Sequence, residues 1–485
     1  MKKISVKLKN NRYVVAIPLL FLPFFLVSGP FLPDLTASIY AVGFLIYIIN
    51  RKYFKYLNNF YFYYFFIIYV YLNINSFFSF NSILSFQTSI VYIRMILFSL
   101  FISFLLKKIS DLNKYFFIST VSCLIILFLD SLLQFFTGFN LVGYSAQERI
   151  SSFFGEELIL GSFVSRILPI LLGLIFILKI KYKNYVGIVT VLIAGVLVFL
   201  SGERLSSAYF FITFIFFLFF FFDIKKKILI SSILLIFFIV LTTISSRFYD
   251  RIFLHTLNQL KEGKSVLSIS YRHELHFITA YNMYLDSKLL GHGLRSFRYL
   301  CSSDKYNPLD KINNDNIKKS TVSGIIAIEE ILPRTEPKSF ALFVLQNENV
   351  LKEYKVWGQF QNFFVRNGES VNPGDKLFSN YEYASGCNTH PHNFYLHLLS
   401  ETGIIGFILF LLFFLFLFYN LIINLYKIIR NKNNEINKTK FFFLLGLCLS
   451  LFPLFPSSSF YNNWLLVLFY LNLGFLINSY SINKK

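Results

Sequence analysis

A short stretch late in the chain combines histidines and an acid at the edge of an apolar run. The segment HPHNFYLHLLSETGIIG, residues 390–406, holds His390, His392, His397 and Glu401. An imidazole titrates near neutral pH, so it can accept a proton from an attacking hydroxyl group. We therefore expect general-base chemistry in this segment. His397 lies inside the helix-forming part, so for this residue we expect only hydrogen bonding at the membrane interface.

Two other uses of these histidines stay open. The spacing of His390 and His392, with Cys387 just upstream, could supply part of a zinc site, although no fourth ligand is apparent. All three histidines could instead only form hydrogen bonds at the interface. Glu401 and the small residues after it are typical of a helix start with close packing, and the carboxylate could also orient a histidine or an arginine.

Four arginines lie in or beside apolar runs, namely Arg94, Arg149, Arg166 and Arg204. Because an ionised side chain at the bilayer centre costs at least about 2.5–3.5 kcal/mol on insertion scales, each one needs a reason. Snorkelling or pairing with a carboxylate would account for Arg94 or Arg166 taken alone. The candidate carboxylates are Asp130, Glu156 and Glu157.

All four arginines belong to the non-cytoplasmic half of the membrane in the topology given below. A guanidinium group stays ionised and grips phosphate through a planar fork of donors, so the cluster predicts a site for a phosphate-type anion. Arg204, in SGERLSSA, lies where one helix ends and the next begins, so backbone donors could help. Arg272 starts a helix that returns toward the membrane. An anion held in this way needs no metal, and we expect neither a metal nor a cofactor.

The elements that carry these residues are membrane helices. The chain has 485 residues, of which 55% are hydrophobic and 20% aromatic, with 64 Phe, so we expect an all-α polytopic membrane protein. Apolar runs long enough to cross a bilayer predict about twelve helices. They are 13–31, 35–50, 58–72, 88–106, 115–136, 158–179, 185–200, 206–222, 228–244, 400–426, 440–455 and 461–478.

The charge distribution predicts the orientation of these helices. The formal net charge of +21 would suggest nucleic acid in a soluble protein, but here the lysines and arginines cluster in alternate connectors. The positive-inside rule places those connectors and the N-terminus in the cytoplasm, whereas the short outer connectors hold only Arg149 and Arg204. A membrane and its lipid are therefore the expected surroundings, and no nucleic acid is expected. The first apolar run lacks an evident cleavage site, so we expect a retained helix.

One loop is far longer than the others, so the chain divides into helices 1–9 (residues 1–244), this large periplasmic loop (245–399) and helices 10–12 (400–485). Within the loop, residues 305–384 are rich in β-branched residues and turn formers, which predicts a small β-rich insert with a spacer or lid role. Cys301 and Cys387 flank the insert. In an oxidising compartment we expect a disulfide between them, with two free thiols as the alternative.

Three segments together resemble a known family. SGERLSSA, YRHELHFITAYNMYLDSKLLGHGLRSF and HPHNFYLHLLSETGIIGF are similar, in that order, to segments of the O-antigen ligase and O-antigen polymerase superfamily of bacterial inner-membrane glycosyltransferases. The late stretch PSSSFYNNW is also similar. The resemblance covers roughly residues 145–470 and leaves out the insert.

The resemblance implies a twelve-helix fold and a donor glycan carried on undecaprenyl diphosphate. Arg204 and Arg272 match the positions that engage the diphosphate, and His392 matches the histidine that activates the acceptor hydroxyl without a metal. We expect Arg149, Arg166, Asn393 and Glu401 to contribute to substrate binding as well. Glu203 departs from the small or polar residue common in the family, which leaves the local charge near Arg204 open.

The acceptor decides between the possible activities. A ligase transfers the glycan to the lipid A core, and a polymerase transfers it to a second lipid-linked glycan. Polymerases more often have two large outer loops, so the single loop favours a ligase. An enzyme that glycosylates protein hydroxyls is a third version. Intramembrane arginines also fit a transporter or flippase for lipid-linked glycans, although neither inverted repeats nor paired broken helices are evident.

Overall fold

A computed structural model shows a bundle of long helices. It describes residues 2–146, 149–178, 180–232, 271–301, 303–306, 354–356, 364–366, 369–371, 387–431, 434–453, 459 and 461–482. Eight labelled helices precede residue 232: α1 (Lys2–Val27), α2 (Phe31–Arg51), α3 (Phe60–Phe77), α4 (Ser82–Lys108), α5 (Leu112–Thr137), α6 (Leu160–Ile177), α7 (Lys183–Leu200) and α8 (Arg204–Phe221). Residues 224–232 are helical too.

The second half of the chain adds further helices and a small sheet. The helices are α9 (Tyr271–Asp286), α10 (Phe297–Leu300), α11 (Phe394–Arg430), α12 (Glu435–Ser450) and α13 (Asn463–Ile482). Single 3₁₀ turns occupy Phe54–Tyr56, Ser152–Phe154 and Asp304–Tyr306. Three short antiparallel strands, β1 (Tyr354–Val356), β2 (Phe364–Arg366) and β3 (Glu369–Val371), are described between residues 305 and 384, and the β-rich insert there stays a prediction.

Among the described residues, eight helices are long and apolar enough to cross a membrane, namely α2, α4, α5, α6, α7, α8, α11 and α13. The apolar part of α1, Tyr13–Val27, is shorter. Helices α3 and α12 occupy two other predicted runs, but α3 carries several tyrosines and two asparagines, and α12 has only 16 residues. The predicted run at 228–244 lies mostly outside the described residues. The described candidate spans are thus all helices of one membrane bundle, and the count of twelve stays a prediction.

Aromatic side chains fill the contacts between these helices. Helix α13 packs on α4, and helix α12 packs on α6 and α11. Between α4 and α13, the hydroxyls of Tyr92 and Tyr470 lie 3.0 Å apart. Fully buried rings such as Phe98, Phe163 and Phe210 belong to the core of the bundle. Burial of these rings and the pairing of the Tyr92 and Tyr470 hydroxyls stabilise the packing of the helices on one another.

The partner of Arg94 differs from the sequence-based expectation. Arg94 Nη2 lies 2.7 Å from Asp34 Oδ1, and Nη1 donates to Ser38 Oγ at 2.8 Å. Helix α2 packs on α4 and brings Asp34 to this arginine, which the sequence alone could not show. Asp130, one expected partner, instead accepts bonds from Leu141 N and from a serine hydroxyl in the α5–α6 connector. Arg94 is therefore a structural residue.

The connectors that are predicted to lie outside the cytoplasm and the end of the large loop lie together at one end of the bundle. The Phe80 amide, in the α3–α4 connector, donates to the His292 carbonyl at 2.8 Å. The Asn393 side chain donates to the Pro453 carbonyl, in the α12–α13 connector, at 3.1 Å. These contacts agree with the alternation of connectors that the charge pattern predicts. The assignment of this end to the periplasm stays a prediction.

The opposite end of the bundle carries basic connectors. Lys183, at the start of α7, pairs with Glu435, at the start of α12. This pair joins two connectors that the sequence places on the cytoplasmic side. Both ends of the bundle therefore agree with one topology.

Candidate functional site

Helix α11 is interrupted within the candidate site. Gly403 has φ 62° and ψ −167°, so the helix is interrupted there. The turn at 287–293 fills the break through three backbone bonds: His292 N to Ser400 O at 3.1 Å, Gly293 N to Glu401 O at 2.8 Å, and Ile404 N to Lys288 O at 2.8 Å. The GHG and SETG motifs, far apart in the sequence, therefore form one clamp.

Glycine is required on both sides of this clamp. Gly291 has φ 69°, and an added Cβ would lie 2.5 Å from the Glu401 carbonyl carbon and 2.6 Å from Gly403 N. At Gly403 an added Cβ would overlap the Leu289 carbonyl and lie 2.6 Å from Leu290 N. All of these neighbours are backbone atoms, so no side-chain rotation could relieve the overlap.

Glu401 holds the same turn with its side chain. The residue is 0% exposed. Its Oε2 accepts a bond from Arg295 N at 2.9 Å, and its Oε1 accepts one from Phe297 N at 3.0 Å. His397 Nε2 lies 3.1 Å from the same Oε1. Glu401 therefore orients a histidine, one of the two expected roles, and its burial favours a structural role over the predicted contact with substrate.

The side chains of five histidines form a cluster at the candidate site. The rings of His390 and His392 are 4.4 Å apart, and those of His390 and His397 are 6.4 Å apart. From helix α9, His273 and His276 place their rings 5.1 Å and 5.3 Å from that of His392. Sequence reasoning missed these two histidines, although their three-residue spacing on a helix puts them on one face. His392 is the centre of the group.

His392 is held in a strained backbone conformation. Its φ of 54° is in the left-handed region, which is uncommon for a residue other than glycine and costs free energy that the surrounding contacts must offset. Its Nε2 lies 3.0 Å from Asn388 Nδ2. Asn393 caps helix α11: its Oδ1 accepts bonds from Tyr395 N and Leu396 N, both at 3.0 Å. Asn393 therefore fixes the helix start next to His392 and uses its side chain for that purpose.

His390 is electrostatically different from an exposed histidine. Burial lowers its pKa to about 3, and four neighbouring basic side chains act in the same direction. These groups are His397, His276, Arg298 and His273. Its Nδ1 lies 3.0 Å from Thr389 Oγ1. His390 therefore stays neutral at physiological pH and is not a proton carrier there.

Cys387 does not serve as a zinc ligand. The structure joins it to Cys301 in a disulfide, with the two Cα atoms 5.1 Å apart. A sulfur in a disulfide is not a thiolate, so Cys387 is not available as a ligand for the zinc site considered for this segment. In the part of the chain that the structure describes, no group of three or more His, Cys, Asp or Glu side chains has a geometry that could hold a metal ion.

A second cluster surrounds Glu203 at the start of helix α8. Its Oε1 accepts bonds from Gly161 N at 2.8 Å and Ser162 N at 3.2 Å, and its Oε2 accepts one from Ser206 Oγ at 2.8 Å. The carboxylate thus caps the N-terminus of α6, where negative charge is favoured. Burial raises the pKa of Glu203. The hydrogen bonds from Ser206 and Ser162 act to lower this pKa, and the positive charges of two arginines also lower it.

The two arginines are Arg166 and Arg149, and Arg204 follows Glu203 directly. Arg166 donates to Ser162 Oγ at 2.6 Å, and its guanidinium lies over the Tyr209 ring at 5.2 Å. Arg149 and Arg166, two of the predicted anion-binding residues, therefore lie close to the Glu203 carboxylate, which directly precedes Arg204 in the chain. Glu203 offsets part of their positive charge, so the local positive charge near Arg204 is lower than the arginines alone would give.

The two clusters are linked through the start of helix α13. The ring of Trp464 lies 6.4 Å from that of Phe154, in the connector that carries Arg149. The ring of Tyr461, three residues before Trp464, lies 5.5 Å from that of His397. Arg272, in the first turn of α9, precedes His273 in the histidine cluster, and its side chain lies outside the described residues. Both clusters thus belong to one end of the bundle.

Comparison with known proteins identifies a family for part of the chain. Residues 189–322 match the family described as O-antigen ligase. The matched segment contains Arg204, Arg272 and the GHG turn, and it extends into the first part of the predicted insert at 305–384. A comparison with curated proteins finds no match. The family match confirms the resemblance of this chain to the O-antigen ligase and O-antigen polymerase superfamily.

Proposed function

We propose that this chain is an O-antigen ligase-type glycosyltransferase. It moves a glycan from undecaprenyl diphosphate to an acceptor hydroxyl, that of a lipid A core sugar, at the periplasmic face of the inner membrane. The observation that carries the proposal is the placement of His392, whose Nε2 lies 3.0 Å from Asn388 Nδ2 and whose backbone has a φ of 54° in the left-handed region. The family match to the segment with Arg204 and Arg272 supports the same assignment.

The arginines hold the donor in this proposal. Arg204 and Arg272 bind the diphosphate, because guanidinium groups pair with phosphate oxygens in a fixed geometry. Arg149 and Arg166 act on the carboxylate of Glu203, the residue before Arg204, and add positive potential. This charge stabilises the leaving diphosphate in the way that a divalent metal does in other glycosyl transfers. The reaction is therefore expected to continue in the presence of a chelator.

His392 activates the acceptor. Its Nε2 takes the proton from the acceptor hydroxyl while the oxygen attacks the anomeric carbon from the face opposite the diphosphate. The new C–O bond forms as the bond to the diphosphate oxygen breaks, with inversion, and the electron pair leaves with undecaprenyl diphosphate. The proton on His392 then passes to water. The step needs no oxidant, reductant or further co-reactant.

A transfer assay tests the proposal directly. Purified protein in detergent receives a lipid-linked glycan and a lipid A core acceptor in the presence of EDTA. We expect glycan transfer by the wild-type protein, and loss of transfer in His392→Ala and Arg272→Ala at unchanged unfolding midpoints. Arg51→Ala is the matched control, because Arg51 is an exposed arginine at the C-terminal end of α2, away from the candidate site.

The products distinguish the alternatives. Glycan on the lipid A core supports the ligase, whereas longer lipid-linked chains made without that acceptor identify a polymerase. Movement of intact lipid-linked glycan across proteoliposomes, with no new glycosidic bond, identifies a transporter and contradicts the proposal. Full transfer activity in both His392→Ala and Arg272→Ala would contradict the assigned roles.

A further inference from the structure

We infer that Asn388 is a positioning residue that keeps the Nε2 atom of His392 unprotonated in the resting protein. The inference rests on the proposed function, in which that atom takes the acceptor proton. It concerns a residue upstream of the HPHN motif, in the segment directly after Cys387.

The orientation of the Asn388 amide is set by its neighbours. Its Oδ1 accepts a bond from Thr389 N at 2.6 Å, so its Nδ2 faces His392 Nε2 at 3.0 Å. An amide NH₂ group can only donate. His392 Nε2 must therefore accept, which requires the neutral ring with its proton on Nδ1. Protonation of Nε2 would turn two N–H groups toward each other.

The position of Asn388 is itself fixed. The preceding residue, Cys387, is bonded to Cys301, and Cys301 Sγ lies 3.7 Å from the Asn388 carbonyl oxygen. A disulfide sulfur carries no proton, so this is a packing contact. On the other side, Asn393 caps helix α11 and fixes the chain just after His392. Asn388 thus has little freedom to leave the histidine except when another donor replaces it.

The described titratable side chains closest to His392 are basic, which acts in the same direction as Asn388. His273 and His276 face it from α9, and His390 faces it from its own segment. His390 is in turn close to Arg298 on α10 and to His397 on α11. A protonated His392 would be surrounded by groups that are cationic or can become so. Glu401, the acid of this turn, is directed at His397 rather than at His392.

The bond to Asn388 has a consequence for the acceptor. A neutral imidazole has one lone pair in the plane of its ring, at Nε2 here. The acceptor hydroxyl and the Asn388 amide compete for this lone pair. Asn388 therefore holds the base ready, and the acceptor replaces the amide when it binds.

The pH dependence of transfer separates this role from a structural one. In Asn388→Asp the new carboxylate faces Nε2 and stabilises its protonated form, so the acid limb of the kcat/KM profile should move up by about one pH unit or more. In Asn388→Leu the hydrogen bond is lost without a new charge, so the shift should be smaller. At pH values above its limb the Asp variant should regain most of the wild-type rate. Equal losses at every pH in both variants would overturn the inference.

A measurement without substrate provides an independent test. Nitrogen NMR of ¹⁵N-histidine-labelled protein, with His392 assigned by a His392→Gln variant, reports which ring nitrogen carries the proton. We expect an unprotonated Nε2 in the wild-type protein and a raised pKa of His392 in Asn388→Asp. A protonated Nε2 in the wild type, or the same His392 pKa in both proteins, would contradict the inference. Failure of wild-type protein to transfer glycan would instead contradict the proposed function, and the NMR result would stand.

Discussion

The clamp between the GHG turn and the broken helix makes a quantitative prediction at Gly403. In Gly403→Ala the residue would need φ 62° and ψ −167°, a region that only glycine occupies readily. The new Cβ would also overlap the backbone of Leu289 and Leu290, which cannot rotate away. The chain can keep this strain, or the break can move away from the turn.

The less costly outcome sets the magnitude. If the break moves away, three backbone bonds between the 287–293 turn and helix α11 are lost. Each such bond contributes on the order of 1 kcal/mol net, so the change should cost about 3 kcal/mol. Retention of the strained geometry costs about 1–3 kcal/mol for the dihedral angles alone, before the overlap is counted. Both routes lower the free energy of unfolding by a similar amount.

The matched control is Gly43→Ala in helix α2. An added Cβ at Gly43 meets nothing within 4 Å, and alanine favours a helix over glycine by roughly 0.5–1 kcal/mol. Thermal unfolding in detergent should give a lower midpoint for Gly403→Ala than for the wild type, and an unchanged or higher one for Gly43→Ala. The glycan transfer rate should fall only in Gly403→Ala, because the clamp carries Glu401 and His397. Equal midpoints and equal rates in the two variants would refute the clamp.

Two further perturbations follow from the histidine cluster and the disulfide. The unfolded chain protonates His390 near its ordinary pKa of 6.5, whereas the folded protein holds that pKa at about 3. The free energy of unfolding should therefore fall as the pH drops from 6.5 toward 3, by up to about 1.4 kcal/mol per pH unit. In His390→Leu the unfolding midpoint should depend less steeply on pH between about pH 7 and pH 5. An equally steep profile in that variant would contradict the burial of the ring. The double variant Cys301→Ala and Cys387→Ala should lower kcat with the helical circular dichroism unchanged, because the bond supports Asn388; full activity would show that the loop needs no such support.

The helices could be predicted because the bilayer limits the possible structures. A chain in hydrocarbon must satisfy its backbone bonds within each helix, so apolar length alone locates the spans. Helices α4, α5 and α6 lie where their apolar runs predict them. The pairing of Arg94 could not be predicted in the same way. Its partner Asp34 is 60 residues away, and only the packing of α2 on α4 brings the two together.

The site was only partly visible in the sequence. The HPHN segment and the arginines have residue types that indicate chemistry on their own. The contact of Gly291 with Gly403 joins residues in separate motifs, and no local spacing encodes it. His273 and His276 carry a helical spacing, but their approach to His392 depends on how α9 packs on α11. Contacts between distant segments depend on tertiary packing, which residue types and spacing do not specify.

Two of the four described non-glycine residues with positive φ lie at the site. His392 and Arg295 have φ values of 54° and 63°, and Gly403 has φ 62°. At a non-glycine residue such a position costs of order 1–3 kcal/mol and persists only when the surrounding contacts fix it, whereas glycine adopts it readily. Around Arg295 and Gly403 those contacts are the Glu401 carboxylate and the backbone bonds of the clamp. Around His392 they are the Asn388 amide and the cap of helix α11, so the imidazole is oriented before any substrate arrives. This order matters for a base, because catalysis by proton transfer depends on geometry that is already in place when the hydroxyl binds.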